Sequence, residues 1–173
     1  MSDPIERVEW RDASGLNAND YNPNVVMTAE LRLLELSIIK QGWVQPVLIT
    51  TDGVIIDGFH RAMLARDSKL LRERYHGQCP CVVLRLSRPD AMLLTIRINR
   101  AKGTHVAFRM AAIVRELLDV HGYDPQQVAQ EIGATVEEVN LLHQDGIFEA
   151  RDIKNYRYSK AWYPAETRHD KRK

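Results

Sequence analysis

Apolar residues recur every three or four positions from about 29 to 41, where Leu31, Leu34 and Ile38 form one stripe. Thr28 stands at the N-cap position, Glu30 in the first turn, and Gly42 follows the last turn, so the pattern predicts an amphipathic helix with its own start and stop signals. The period then changes. Pro46-Val47-Leu48-Ile49-Thr50 and Val54-Ile55-Ile56-Asp57 are continuous apolar runs on either side of Asp52-Gly53, which predicts a hairpin. A glycine turn at Gly58 leads into a helix from about 60 to 74, and Pro80 to Leu86 reads as another strand. Ser87, with Asp90 three residues on, predicts a helix over about 88–98 opened in the manner of a capping box, Asp taking the Glu position. Residues 1–27 show no period and carry a turn signal at Asn22-Pro23-Asn24.

Beyond a polar break at Asn99 to Thr104 the pattern is helical throughout. Val106, Met110, Ile113, Val114 and Leu117 define a helix from about 105 to 121, closed by Gly122. Asp124-Pro125 is an N-cap followed by proline at the first helical position and opens a short helix through Ile132. After Gly133, Thr135 and Glu138 form a capping box for a last helix ending near Gly146. Ala129, Gly133 and Val139 have the spacing of a helix-turn-helix, and Val128, Ile132 and Leu142 supply its core. The expected fold is therefore α+β: a small mixed sheet with helices over 1–104, an all-helical part over 105–146 with the helix-turn-helix at 124–144, and a tail over 147–173.

Composition excludes several classes. With 173 residues, 45% hydrophobic and 27% charged, the chain is long and apolar enough for a real core, and it is neither disordered, collagenous nor a disulfide framework. The net charge of +1 hides an asymmetry: residues 151–173 hold eight Lys and Arg against three Asp and Glu, a net +5, so the preceding 150 residues carry −4. The opening MSDPIERVEW has no basic stretch followed by an apolar run, and no segment approaches the ~18 apolar residues of a membrane span. A cytoplasmic protein without membrane partners is expected. Cys79-Pro80-Cys81 suits neither a zinc knuckle nor a C-x-x-C redox motif, which predicts two reduced, packed thiols. The six His never pair at metal-ligand spacing, so no metal site is expected.

The segment richest in chemistry is Val54 to Ala62. An apolar strand ends in Asp57, turns on Gly58, and starts a helix with His60 and Arg61 in its first turn. Helix N-termini present unpaired N–H groups to anions and Arg adds a bidentate fork, so the spacing predicts a phosphate at Gly58–Arg61. The alternative is that Asp57 only caps the helix while His60 and Arg61 face solvent. Asn99-Arg100-Ala101-Lys102-Gly103-Thr104-His105 offers a second anion cradle, or else a solvated basic loop.

DNA contact is less favoured by the residues. The second helix of the helix-turn-helix carries Glu137 and Glu138 and no Arg or Lys, leaving Thr135 and Asn140 as the candidate readers. Lys154, Arg157 and Lys160 in the tail would grip phosphates, with Tyr156, Tyr158, Trp162 and Tyr163 stacking on bases. The competing readings are a protein–protein or structural role for the helix pair and an arm packed on its own body or a second subunit.

Three runs together, Leu36-Ser37-Ile38 with Gly42-Trp43-Val44-Gln45-Pro46, then Ile56-Asp57-Gly58-Phe59-His60-Arg61, then Asn99-Arg100, followed by a helix-turn-helix, resemble the ParB N-terminal superfamily over about 28–146. The NRAKGTH form looks closest to ParB-like proteins of prophages and islands. The resemblance implies a dimeric, DNA-associated regulator that binds a nucleoside di- or triphosphate (CTP, ATP or ADP), with or without Mg²⁺, and a phosphoadenosine-sulfate-reductase-like partner protein. It assigns nucleotide contacts to Gln45, Gly58, His60, Arg61, Asn99 and Arg100, and the second cradle read from the residues adds Lys102, Gly103, Thr104 and His105. In sulfiredoxins of this superfamily the turn reads G-C-H-R. Phe59 takes the place of that Cys and supplies no thiolate, which excludes their chemistry. The free-serine kinases read D-G-H-H-R, so a phosphotransferase with Asp57 at the phosphoryl group and Glu30 or Glu35 as the acid stands as the alternative function. A ParB-like nuclease or DNA-modification-associated protein is a second. Where ParB proteins carry E-N-x-Q-R, this chain has Ile98-Asn99-Arg100; the missing carboxylate favours nucleotide binding over Mg-assisted hydrolysis.

Overall fold

The computed structural model describes residues 3–21, 28–102 and 107–144. Four strands form one mixed sheet in the order β1-β4-β2-β3, with β1 (Val8–Asp12) antiparallel to β4 (Gln78–Leu84), β2 (Val47–Thr50) parallel to β4, and β3 (Ile55–Asp57) antiparallel to β2. The expected hairpin joins β2 to β3, closed by Thr50 N–H on Val54 O at 2.9 Å with Gly53 at φ +83°. Among the described residues seven α-helices surround and extend the sheet, consistent with the α+β expectation.

The first correction falls in residues 1–27, which were expected to be irregular. Val8 to Asp12 is a strand, flanked by single 3₁₀ turns at Pro4–Glu6 and Ala13–Gly15. All five strand residues are exposed, so no apolar face betrays it; backbone pairing to β4 alone makes it a strand. It is an edge strand with Glu9 and Arg11 on one face and Val8, Trp10 and Asp12 on the other.

Helix α1 (Thr28–Gln41) ends as its stripe predicts. Gly42, at φ +80°, donates its N–H to Ile38 O at 2.9 Å. The single helix expected over 60–74 is two, α2 (Phe59–Asp67) and α3 (Lys69–Tyr75). Ser68 divides them in an extended conformation: its N–H closes α2 on Leu64 O, while its hydroxyl accepts from Leu71 N–H as the N-cap of α3. A serine hydroxyl competes well for a helix N–H, and here that local bond wins over continuation.

Helix α4 (Arg88–Ala101) runs three residues past its expected end, so Asn99, Arg100 and Ala101 are helical rather than a break. Ser87 caps it by accepting from Asp90 N–H, but Asp90 bonds back to the Ser87 hydroxyl at 2.5 Å instead of completing a box on the backbone. Aspartate is one methylene shorter than the glutamate of a full box. Helix α5 (Ala107–Arg115) continues into a π-helical turn at Glu116–Val120, where His121 N–H reaches Glu116 O at 3.2 Å. Then come α6 (Pro125–Ile132), with a full capping box of Asp124 and Gln127, and α7 (Val136–His143), capped by Thr135 and ending three residues before Gly146. The return bond expected from Glu138 to the Thr135 backbone is replaced by an ion pair described below.

Two apolar clusters hold these elements together. Val47, Ile49, Ile55, Ala62, Ala65, Cys79 and Cys81 pack α2 on the sheet, with Phe59 and Trp43 at the margin. Met92, Leu93 and Ile96 of α4 join Val114, Leu117, Val128, Ile132, Val139 and Leu142 in the second. Helix α4 thus belongs to the helical core while its fully buried Thr95 hydroxyl reaches Ala91 O at 2.9 Å and Ile56 O of β3 at 3.4 Å. No helix among the described residues is long and apolar enough to cross a membrane.

Candidate functional site

Strand β3 ends on Asp57, and Gly58 turns the chain into α2 with φ +95° and ψ 22°, a left-handed conformation that side chains resist. A Cβ at position 58 would lie 2.7 Å from Nη2 and 2.9 Å from Nε of Arg61. Glycine therefore does two things here: it permits the turn and leaves the space that the Arg61 guanidinium fills. Arg61 as a whole is 9% exposed. Its Nη1 donates to Gln45 Oε1 at 2.7 Å, and its Nη2 to Asp57 Oδ2 at 2.8 Å.

The second carboxylate oxygen, Asp57 Oδ1, accepts from Lys102 Nζ at 2.7 Å. Lys102 follows the last turn of α4, and its side chain is 46% exposed. One residue from each candidate anion cradle, Arg61 and Lys102, thus meets this carboxylate. Gln45 before β2, Asp57 at the end of β3, Arg61 in α2 and Lys102 after α4 form one cluster with two cations and one carboxylate. Guanidinium has five donors and ammonium three, so both cations keep N–H groups for a further acceptor. The N–H groups of Phe59, His60 and Arg61, the first of α2, have no intrahelical carbonyl to bond and carry the positive end of the helix dipole.

The remaining residues named from the sequence are placed as follows. His60 is half-buried with its ring edge-on to Phe59, centroids 5.4 Å apart, and Phe59 itself packs against the sheet core. Asn99 is half-buried in the last turn of α4. Arg100 is committed elsewhere: Nη1 donates to Glu138 Oε1 at 2.8 Å and Nη2 to Gly133 O at 3.1 Å, tying α4 to the α6–α7 turn and to α7. Glu35 accepts from the Ser68 hydroxyl at the α2–α3 break. Glu30 lies in the first turn of α1, its side chain outside the described residues, as are Gly103, Thr104 and His105. Thr135 spends its hydroxyl on the N-cap of α7, accepting from Glu138 N–H at 3.1 Å, whereas Asn140 is exposed. Lys154, Arg157 and Lys160 lie outside the described residues.

Sequence reasoning missed the partnership of Lys102 with Asp57, since 45 residues separate them and no local signal joins them. It also missed a second charged cluster. Arg88 Nε donates to Glu116 Oε1 at 2.6 Å and its Nη2 to Asp20 Oδ1 at 2.9 Å, with the guanidinium 5.2 Å from the Tyr21 ring centre. The hydrogen bond from Arg88 holds the Glu116 carboxyl below the usual carboxylate range. Cys79 and Cys81 are free and fully buried, their sulfurs 3.8 Å apart. Contact with the Cys81 sulfur, then burial, pushes the Cys79 thiol far above its ordinary value. Among the described residues no group of three or more His, Cys, Asp or Glu converges to hold a metal ion.

The fold has known counterparts. The chain is similar to the C-terminally truncated chromosome-partitioning protein ParB from Caulobacter crescentus complexed to the centromeric parS site, with a TM-score of 0.50 and 19% identity, covering 78% of this chain and 69% of that one. The same protein complexed with CTP-γ-S gives a TM-score of 0.45 at 20% identity, over 79% of this chain and 76% of that one. The architecture is thus ParB-like. No family model matches the chain. Among curated proteins it is 39% identical over 165 residues to the uncharacterized protein YbdM of Escherichia coli (strain K12), covering 92% of this chain and 78% of that protein, and it belongs to the YbdM family. A shorter stretch of 74 residues is 31% identical to the adenylate kinase of Porphyromonas gingivalis (strain ATCC BAA-308 / W83), covering 43% of this chain and 38% of that protein.

Proposed function

We propose that this chain is a ParB-like, DNA-associated regulator that holds the phosphates of a nucleoside di- or triphosphate at the Asp57-Gly58-Phe59-His60-Arg61 turn. One observation carries the reading: the buried Arg61 guanidinium lies against Gly58 at a helix N-terminus, with Lys102 brought to the same carboxylate. Phosphate oxygens suit this arrangement because a preorganised guanidinium, an ammonium and helix N–H groups all donate into one small volume. Asp57 keeps the two cations in place before ligand arrives and lowers the cluster to a net +1. A dianionic phosphate then competes for Lys102 while Arg61 stays anchored by Gln45.

Mg²⁺ does not fit the described residues. Asp57 is the carboxylate of the cluster, and both of its oxygens are occupied by cations. Binding through Arg61 and Lys102 is the part of the reading that these residues support, and His60, next to Arg61 in α2, and Asn99, in the last turn of α4, are assigned to it as further contacts. Gly103, Thr104 and His105 follow Lys102 directly and complete the proposed phosphate-binding segment. For DNA association the support is the likeness in fold to a ParB bound to parS. In that reading α6 and α7 are a helix-turn-helix with Asn140 as its base reader, and Lys154, Arg157 and Lys160 supply the phosphate contacts that Glu137 and Glu138 deny it. Glu138 is partly neutralised by Arg100, which lessens its repulsion of a duplex. The geometry offers no support for the reductase-like partner.

The test is calorimetric titration of the chain with CTP, ATP and ADP, with and without duplex DNA. Binding of at least one nucleotide is expected, and Arg61→Ala should weaken it by about 1.5–3 kcal/mol, the scale of a charge-assisted hydrogen bond. A wild-type chain that binds none of the three overturns the reading. Conversion of bound nucleotide in the presence of a hydroxyl-bearing metabolite pool, followed by mass spectrometry, would move the assignment to the phosphotransferase.

A further inference from the structure

Among the described residues no strand lies on the side of β1 away from β4. Which backbone groups face that open side follows from the register. Ala13 N–H bonds Gly77 O at 2.9 Å, one step beyond the Asp12↔Gln78 pair, so position 13 is a hydrogen-bonded pair of the antiparallel ladder. Such pairs alternate, which makes Arg11↔Cys79 and Glu9↔Cys81 hydrogen-bonded as well, and turns the N–H and C=O groups of Val8, Trp10 and Asp12 outward. Pro80, opposite Trp10, agrees with this assignment because it has no N–H to give.

We propose that two copies of this chain join through antiparallel pairing of their β1 edges about a two-fold axis at Trp10, giving one continuous eight-stranded sheet. Outward-facing groups must meet outward-facing groups, so even-numbered residues pair only with even-numbered residues. Centring on Val8 or Asp12 pairs only that one strand residue with its copy, because β1 ends there, which leaves three registers. Centring on Glu9 sets Glu9 against Glu9, and centring on Arg11 sets Arg11 against Arg11. Centring on Trp10 sets each Glu9 opposite the Arg11 of the other copy, twice, at non-hydrogen-bonded positions where side chains stand closest. Of the three, only that register is attractive.

Charge on one face and ring stacking at the centre of the other favour this register. Glu9 and Arg11 already lie 3.0 Å apart within one strand, about half exposed, so pairing makes an alternating ring of four charges. On the other face Trp10 is 49% exposed and stacks on Tyr75 with centroids 5.7 Å apart and planes at 18°. Across the two-fold it meets its own copy, extending the aromatic stack from Tyr75 to Tyr75 and covering an indole that is open in the single chain. Up to about six backbone hydrogen bonds form in this pairing.

The experiment is sedimentation velocity on the full chain at about 10–100 µM, a range that reports micromolar association. Wild type should sediment as a dimer. Glu9→Arg alone and Arg11→Glu alone each place like charges opposite one another and should raise the dissociation constant by about tenfold or more. The double variant Glu9→Arg/Arg11→Glu restores the complement and should recover the dimer. Both side chains are exposed, and circular dichroism with thermal melts confirms that the variants remain folded. A wild-type chain that stays monomeric, or a dimer indifferent to either single reversal, overturns the proposal.

Discussion

Lys102 Nζ stands 2.7 Å from Asp57 Oδ1, joining the end of α4 to the end of β3 across 45 residues of chain. The same carboxylate anchors the buried Arg61, so one acidic side chain fixes the cationic groups contributed by two different helices. In the proposed site Lys102 is the more accessible member, since its side chain is 46% exposed while Arg61 is held on two sides.

Removing Lys102 should separate binding from stability. Lys102→Ala is expected to weaken nucleotide affinity about tenfold, close to 1.4 kcal/mol, because one charge-assisted contact is lost. Its exposed ion pair with Asp57 adds about 0–1 kcal/mol to the fold, so the melting temperature should fall little. Calorimetry and a thermal melt on one preparation read both numbers.

Gly58→Ala should damage both. A left-handed φ of +95° costs a residue with Cβ about 1–2 kcal/mol, and the new methyl would meet the Arg61 guanidinium at 2.7 Å. Arg61 must then leave Gln45 and Asp57. The expected result is a loss of about 2–3 kcal/mol in urea unfolding, counting the broken hydrogen bonds, together with loss of nucleotide binding.

The link from α4 to the helix pair is measurable by a double-mutant cycle. Arg100→Ala forfeits its bonds to both Glu138 and the Gly133 carbonyl, whereas Glu138→Gln forfeits only the charge. The coupling energy should be about 0.5–1 kcal/mol for this partly exposed pair, with Arg100→Ala the more destabilising of the two singles. Hydrogen exchange in α6 and α7 should accelerate in Arg100→Ala.

Acid should reveal the Arg88 cluster. Because Arg88 depresses the Glu116 carboxyl in the folded chain, the pair stabilises fully above the ordinary Glu range of about 4.3 and loses its contribution as pH falls through the lower folded value. Arg88→Leu should be less stable than wild type by about 0.5–1 kcal/mol at neutral pH, a modest figure because the Arg side chain is 43% exposed. The difference should shrink below about pH 4. Urea midpoints at the two pH values check it.

Neither thiol should react in the native state. Cys79 and Cys81 are fully buried on β4, and the Cys79 thiolate is strongly disfavoured by its neighbour's sulfur and by burial. Iodoacetamide should label neither in buffer within hours and both in denaturant, as read by intact mass. Labelling of folded protein would show that β4 opens readily.

The legible elements are those whose signals are local. Asp52-Gly53 closes its hairpin, Gly42 and Gly133 end their helices with positive φ, and Asp124-Pro125 and Thr135 start theirs, because each depends on a few neighbouring residues and their backbone preferences. The strand at Val8 to Asp12 was illegible for the opposite reason: its side chains stay exposed, and its partner lies some seventy residues away. The split at Ser68 had a local signal in the serine itself, outvoted in the sequence by the apolar period running through it.

For the proposed site, the sequence alone determined the candidate residues: a carboxylate at a strand end, a glycine turn, and an arginine one turn into the helix. These lie within five positions, where spacing dictates proximity. Tertiary structure alone decided how the charges are shared. It gave Lys102 to Asp57, Gln45 to Arg61, Arg100 to Glu138 and Glu35 to Ser68, all pairs more than fifteen residues apart. Charge and residue type fix what a side chain can bond. Which partner it meets depends on the packing of α4 against β3 and of α1 against the α2–α3 break, and that packing is set by the apolar cores rather than by the charges themselves.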